Sequence, residues 1–114
     1  MITVYGLSNC DSCRKARAWL AARGSDYDWH EIKTAPVPQP VLAQAVAELG
    51  VKRVVNRRST TWRGLSAEAQ VRADEPAHVP ALLQEHPGLM KRPLISTPRG
   101  MITGFDADAL ARLL

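Results

Sequence analysis

Ile2-Thr3-Val4-Tyr5-Gly6-Leu7-Ser8-Asn9-Cys10-Asp11-Ser12-Cys13 reads as a strand, a loop and the start of a helix. Residues 2–6 alternate apolar and polar side chains and are rich in β-formers, the pattern of a short strand. Asp11 and Ser12 offer N-cap chemistry for the helix that follows. Ala16, Trp19 and Leu20 share one helical face, and Gly24 stands where a left-handed C-cap is needed. Tyr27-Asp28-Trp29-His30-Glu31-Ile32 then reads as a second strand. A strand–helix–strand connection of this length favours a parallel βαβ unit.

Downstream, Pro36, Pro38 and Pro40 break the chain before a second helix, with Val41 or Leu42, Ala45, Val46 and Leu49 at helical spacing and Gly50 closing it. Residues 52–65 are basic and hydroxyl-rich with weak periodicity, which predicts a short helical turn and a loop. Ser66 is placed to cap a short helix to Ala73. A further helix is predicted over residues 77–86, with Val79, Leu82 and Leu83 on one face and Pro80 in its first turn. Pro87-Gly88 ends it. Residues 94–97 and 101–103, joined by Pro98-Arg99-Gly100, read as a closing hairpin. Asp106 or Asp108 starts a terminal helix with Ala107, Leu110 and Leu114 inward. The order is that of an α/β protein with a helical elaboration in its middle.

Composition narrows the function. At 114 residues, 46% hydrophobic and 23% charged, the chain fits one globular domain and not a disordered one. No apolar run approaches the ~20 residues of a membrane helix. The first six residues lack the basic and longer apolar segments of a signal peptide, so a cytoplasmic location is expected. Two cysteines exclude a disulfide scaffold and a four-cysteine zinc site. His30, His78 and His86 have no metal-like spacing, and no metal is expected. The net charge of +4 allows an anionic small-molecule site. It does not call for nucleic acid, and only Trp62 interleaves the basic run. A monomer is expected.

Three segments carry candidate chemistry. Cys10-Asp11-Ser12-Cys13 sits where a strand hands over to a helix, and unpaired N–H groups there favour a thiolate on Cys10. Cys13, one turn on, is close enough to resolve an adduct on Cys10. Arg14 and Lys15 add positive charge nearby. The bland alternative is two small buried apolar residues. Lys91-Arg92-Pro93 precedes a strand, where Arg92 would hold an anion or stabilise a thiolate, or else end a loop as part of a solvated basic pair. Arg53, Arg57, Arg58 and Arg63 suit a carboxylate or phosphate group, or form a solvated face.

Together these segments resemble the arsenate reductase (ArsC)-like family, specifically its YffB and Spx branches. The resemblance rests on N-C-D-S-C-R-K-A-R-A-W-L from Asn9, N-R-R-S-T-T-W-R-G-L from Asn56 and E-H-P-G-L-M-K-R-P-L from Glu85, with Gly104-Phe105 before the terminal helix. It implies a thioredoxin-like fold with a mixed four-stranded sheet, residues 1–114 as a single domain and a helical insertion at approximately 38–87. It implies that Cys10 is the nucleophile, with Arg92 before a cis-proline, Pro93, and Cys13 as resolving or redox partner. Arg58, Asn9, Asn56 and Pro93 are the implied anion- or substrate-binding residues. Asn56 stands where arsenate reductases proper carry an active-site arginine, and the Gly104 region replaces another, which weakens the case for arsenate reduction. The leading expectation is a thiol-dependent reductase with no bound cofactor and glutathione as co-substrate. The alternative is an Spx-like regulator that binds RNA polymerase through a Cys10–Cys13 disulfide switch.

Overall fold

A computed structural model describes residues 1–114. In chain order its elements are β1 (Thr3–Gly6), α1 (Asp11–Ala22), β2 (Asp28–Glu31), α2 (Gln39–Leu49), α3 (Val51–Val54) and α4 (Thr60–Arg63). There follow α5 (Ala67–Arg72), α6 (Val79–Glu85), a 3₁₀ turn Pro87–Leu89, β3 (Leu94–Thr97), β4 (Gly100–Thr103) and α7 (Ala107–Arg112). They divide into a sheet unit, Met1–Ala35 with Arg92–Leu114, and a helical unit, Pro36–Lys91. No helix is long and apolar enough to cross a membrane.

In the sheet unit the strand order is β2-β1-β3-β4. β1 pairs parallel with β2, Val4 opposite Trp29 and Gly6 opposite Glu31, and the expected βαβ unit is present. β1–β3 and β3–β4 are antiparallel. The fold is an α/β, thioredoxin-like one. Fully buried Ala16 and Leu20 lie one turn apart on α1 and pack with Val4, Ile95, Ile102 and Leu110. Gly24, at φ 72°, adopts the left-handed conformation expected after α1. The hairpin turn is one residue shorter than expected. Gly100 joins the ladder opposite Thr97 at φ 142°, a conformation open to glycine. Of the two candidate caps, Asp106 starts α7 by accepting the Ala109 N–H at 3.1 Å. Ala109 and Leu113 join Leu110 and Leu114 against the core, in place of the expected Ala107.

In the helical unit α2 buries Leu42, Ala45 and Val46, which selects Leu42 over Val41 as the inward residue. α6 buries Val79, Leu82 and Leu83 as expected, but starts after a turn in which the Glu75 carbonyl accepts from both His78 N–H and Val79 N–H. Residues 52–65 hold two helical turns where one was expected. The Ser59 hydroxyl caps α4 by accepting the Trp62 N–H at 3.0 Å, a signal independent of apolar spacing, and α4 buries no residue. Residues 54–56 and 89–91 are laced together by an isolated antiparallel bridge between Val55 and Met90. Asn56 N–H donates to the Leu89 carbonyl at 2.7 Å, and Lys91 N–H to the Val54 carbonyl at 2.8 Å. Lys91 is the residue before Arg92, so this lacing ends where the second candidate segment begins.

Candidate active site

Cys10 itself occupies the N-cap of α1, with extended backbone at φ −102° and ψ 126°. The sequence pointed to Asp11 or Ser12 because their side chains cap more strongly. Instead Asp11 is the first helical residue, its carboxylate paired with the Arg14 guanidinium. Arg14 also reaches the Ser8 carbonyl at 3.4 Å, so its charge is matched locally and does not serve Cys10. The Cys10 carbonyl accepts the first intrahelical bond, from Arg14 N–H at 2.9 Å. Its own N–H donates back to the Leu7 carbonyl at 3.2 Å, which closes the loop.

Cys13 is fully buried, and Gly6 is what admits it. A Cβ on Gly6 would lie 2.5 Å from Cys13 Sγ and 3.2 Å from the Trp29 ring. The missing side chain at the end of β1 lets the first turn of α1 settle onto the sheet. Sequence reading overlooked Gly6; the available signal was a glycine closing the strand just before the C-x-x-C.

The two thiols are set apart electrostatically. Partial burial pushes the Cys10 thiol up, but the Cys13 N–H and S–H, together with a hydrogen bond and charge from Arg92, bring it net below the ordinary thiol value. Cys13 is pushed up to about 11, first by burial and then by Cys10 beside it; the Leu7 backbone and Arg92 offset this only in part. The arrangement makes Cys10 the more acidic of the two thiols and Cys13 the one that keeps its proton, the pairing required of a nucleophile with a buried neighbour. Both cysteines are free.

Arg92 is half-buried and leads into β3 through a cis peptide bond to Pro93. Pro93 is fully buried, and its carbonyl accepts Gly104 N–H at 2.9 Å. Asn9 is exposed on the loop next to Cys10. The remaining candidates stand in the helical unit. Asn56 Oδ1 accepts Arg58 N–H at 3.0 Å, and the Asn56 carbonyl accepts the Ser59 hydroxyl at 2.8 Å. The amide oxygen of Asn56 is thus engaged in shaping a turn. Arg57 pairs with Asp74 and lies 5.1 Å over the Trp62 ring, whereas the Arg58 side chain is exposed. All four arginines of the expected cluster, Arg53, Arg57, Arg58 and Arg63, are exposed, and Arg57 is held by Asp74 and the Trp62 ring.

Residues 5–113 match the ArsC family. The chain belongs to the ArsC family. Among its relatives, an uncharacterized protein of Haemophilus influenzae is 37% identical over 106 residues, covering 93% of this chain and 92% of the relative. The global transcriptional regulator Spx of Streptococcus agalactiae is 31% identical over 116 residues, covering 100% of this chain and 83% of Spx. The solved structure of a YffB protein superposes with a TM-score of 0.91 at 32% identity, covering 100% of this chain and 99% of that one. The expected membership of the ArsC-like family, with likeness to its YffB and Spx branches, is thereby established.

In this ArsC-family chain one more residue bears on the candidate site. Glu31 accepts the Ser8 N–H at 3.1 Å across 23 positions of sequence. No local pattern in the sequence marks such a contact; only the register of β2 against β1 brings it about.

Proposed function

We propose that this ArsC-family protein is a thiol-dependent reductase in which Cys10 is the nucleophile, Arg92 stabilises its thiolate and glutathione is the reducing co-substrate. The observation that carries this reading is Cys10 at the N-cap of α1 with its acidity raised by the Cys13 N–H and S–H and by Arg92. Take a glutathione mixed disulfide as the oxidised substrate. The Cys10 thiolate attacks the glutathione sulfur, the substrate S–S bond breaks and the substrate leaves as a thiolate. A second glutathione thiolate then attacks the Cys10-bound glutathione, releasing glutathione disulfide and restoring the Cys10 thiolate. One free glutathione thiol enters per turnover; its sulfur and the glutathione sulfur taken from the substrate leave together as glutathione disulfide, and the substrate thiol is the reduced product. Arg92 serves the anionic part of the substrate at the same time, and Arg58 is assigned to substrate charge on the family resemblance. A cytoplasmic setting, where small thiols stay reduced, belongs to this reading.

The test is turnover of a small glutathione mixed disulfide with glutathione, followed by glutathione disulfide formed and by intact-protein mass. Wild type and Cys13→Ser are expected to form a glutathione adduct and to turn over. Cys10→Ser is expected to do neither. A wild-type protein that forms no adduct contradicts the proposal.

A second reading, a redox regulator of the Spx type, is favoured by the retained Cys10-x-x-Cys13 pair together with the whole-chain similarity to Spx. In that case mild peroxide is expected to join Cys10 to Cys13, and RNA polymerase is expected to bind the oxidised protein alone. The full burial of Cys13 and its raised pKa speak for the reductase.

A further inference from the structure

The loop that delivers Cys10 to the helix N-terminus is tied down by a carboxylate outside the C-x-x-C segment. Glu31 ends β2 opposite Gly6, and Ile32 N–H donates to the Gly6 carbonyl at 3.0 Å, which fixes the strand end beside the loop. From this position Glu31 Oε1 accepts the Ser8 N–H at 3.1 Å, two residues before Cys10. The Ser8 and Trp29 side chains and the Lys33 N–H lie near enough to act on the Glu31 carboxylate. Trp29 is the ring that shares with Cys13 Sγ the space beneath Gly6. One side chain thereby reaches from the end of β2 to the backbone just before Cys10.

We infer that Glu31 is a positioning residue for the nucleophile: its hydrogen bond from the Ser8 N–H holds the Cys10 loop in the geometry that presents Cys10 to the Cys13 N–H and to Arg92. The inference rests on the reading of Cys10 as the nucleophile. Desolvation opposes the Glu31 charge, but hydrogen bonds from Ser8, Trp29 and Lys33 outweigh it and keep the carboxyl below its ordinary range. Glu31 is therefore an ionised acceptor throughout the pH range in which thiols react. Its charge alone would work against a thiolate, and a solvent-facing charge is strongly screened. Its hydrogen bonds are the larger contribution. The groups acting on Cys10 are Cys13 and Arg92; those on Glu31 are Ser8, Trp29 and Lys33; the Asp11–Arg14 pair stands on the first turn of α1.

Three substitutions separate reach from charge. Glu31→Gln keeps an acceptor for Ser8 and loses the charge, Glu31→Asp keeps the charge and loses the reach, and Glu31→Ala loses both. Cys10 alkylation by iodoacetamide is followed against pH by intact mass, beside the thermal midpoint of each protein. Glu31→Asp and Glu31→Ala are expected to raise the half-reaction pH by about half a unit, or about threefold slower alkylation at a fixed pH below it. Glu31→Gln is expected to stay at the wild-type position. The inference is overturned if Glu31→Asp and Glu31→Ala lower only the thermal midpoint. It is equally overturned if Glu31→Gln and Glu31→Ala both lower the half-reaction pH, since Glu31 would then act through its charge. Glu31→Asp carries the test should Glu31→Ala not fold. A wild-type Cys10 with an ordinary thiol profile is a separate failure, of the nucleophile assignment itself.

Discussion

The sheet unit and the helical unit hold their candidate residues by different means. Cys10 and Arg92 take their places from pairing between distant stretches of chain, with β1 lying between β2 and β3. Arg58 sits on a segment shaped locally by the Asn56 turn and the Ser59 cap and fastened at longer range by the Arg57–Asp74 pair and the Val55–Met90 bridge. The close approaches differ in kind as well. Gly6 meets a buried thiol with nowhere to turn, whereas a Cβ on Gly88 would meet the Thr61 hydroxyl, at 2.6 Å. The candidate nucleophile and its arginine thus stand on a frame whose geometry is set by many residues at once. A residue assigned to substrate charge stands where single caps and pairs decide, and there change is tolerated more easily.

The largest expected effect lies in activity. Cys10→Ser is expected to abolish glutathione adduct formation and turnover, whereas Arg58→Ala retains the adduct and loses about tenfold in kcat/KM, the size of one charged contact. Loss of the adduct in Arg58→Ala would break the division between the two units. Next comes packing. Gly6→Ala is expected to cost about 1–3 kcal/mol in chemical denaturation, because the neighbouring Sγ is fully buried. Gly88→Ala is expected to cost less, since a hydroxyl at the end of its side chain is able to rotate away. Equal losses would contradict the contrast.

Much of the sheet unit was legible beforehand for a physical reason. Alternation in residues 2–6, the Ala16–Leu20 face and Gly24 are local signals, and the parallel βαβ unit follows from them. The N-cap was misassigned because Asp11 and Ser12 are better caps than cysteine, and the tertiary position of α1 decided otherwise. Gly6 and Glu31 were missed because their contacts, to Cys13 and to Ser8, exist only once strand and helix have docked. In the helical unit, α4 escaped notice because a hydroxyl cap and not an apolar stripe defines it. That Arg92 acts on the Cys10 thiol was one of two alternatives left open by its place before a strand, and the family resemblance, not any local spacing, favoured it.

Two smaller effects sharpen the comparison further. Ser59→Ala in the helical unit and Asp106→Ala in the sheet unit each remove one cap and are expected to cost about 1 kcal/mol by denaturant titration. Only Ser59→Ala is expected to open α4 to hydrogen exchange. The pH dependence of stability isolates Cys13. Its folded pKa, about 11, lies above the unfolded thiol value of ~8.5, so the folded state binds the proton more tightly. That contribution is fully present below the unfolded value and is lost as pH rises through the folded one. The thermal midpoint of wild type is therefore expected to fall more steeply than that of Cys13→Ala across this window.

The central claim is that Cys10 is an activated nucleophile and Cys13 its protonated neighbour. Site-resolved alkylation against pH, on wild type and on Arg92→Ala, tests it most directly. A Cys10 half-reaction clearly below the free-thiol value of ~8.5 is expected, moved upward by loss of Arg92, with Cys13 unmodified throughout that range. A Cys10 that titrates at or above the free-thiol value and ignores the loss of Arg92 would contradict it.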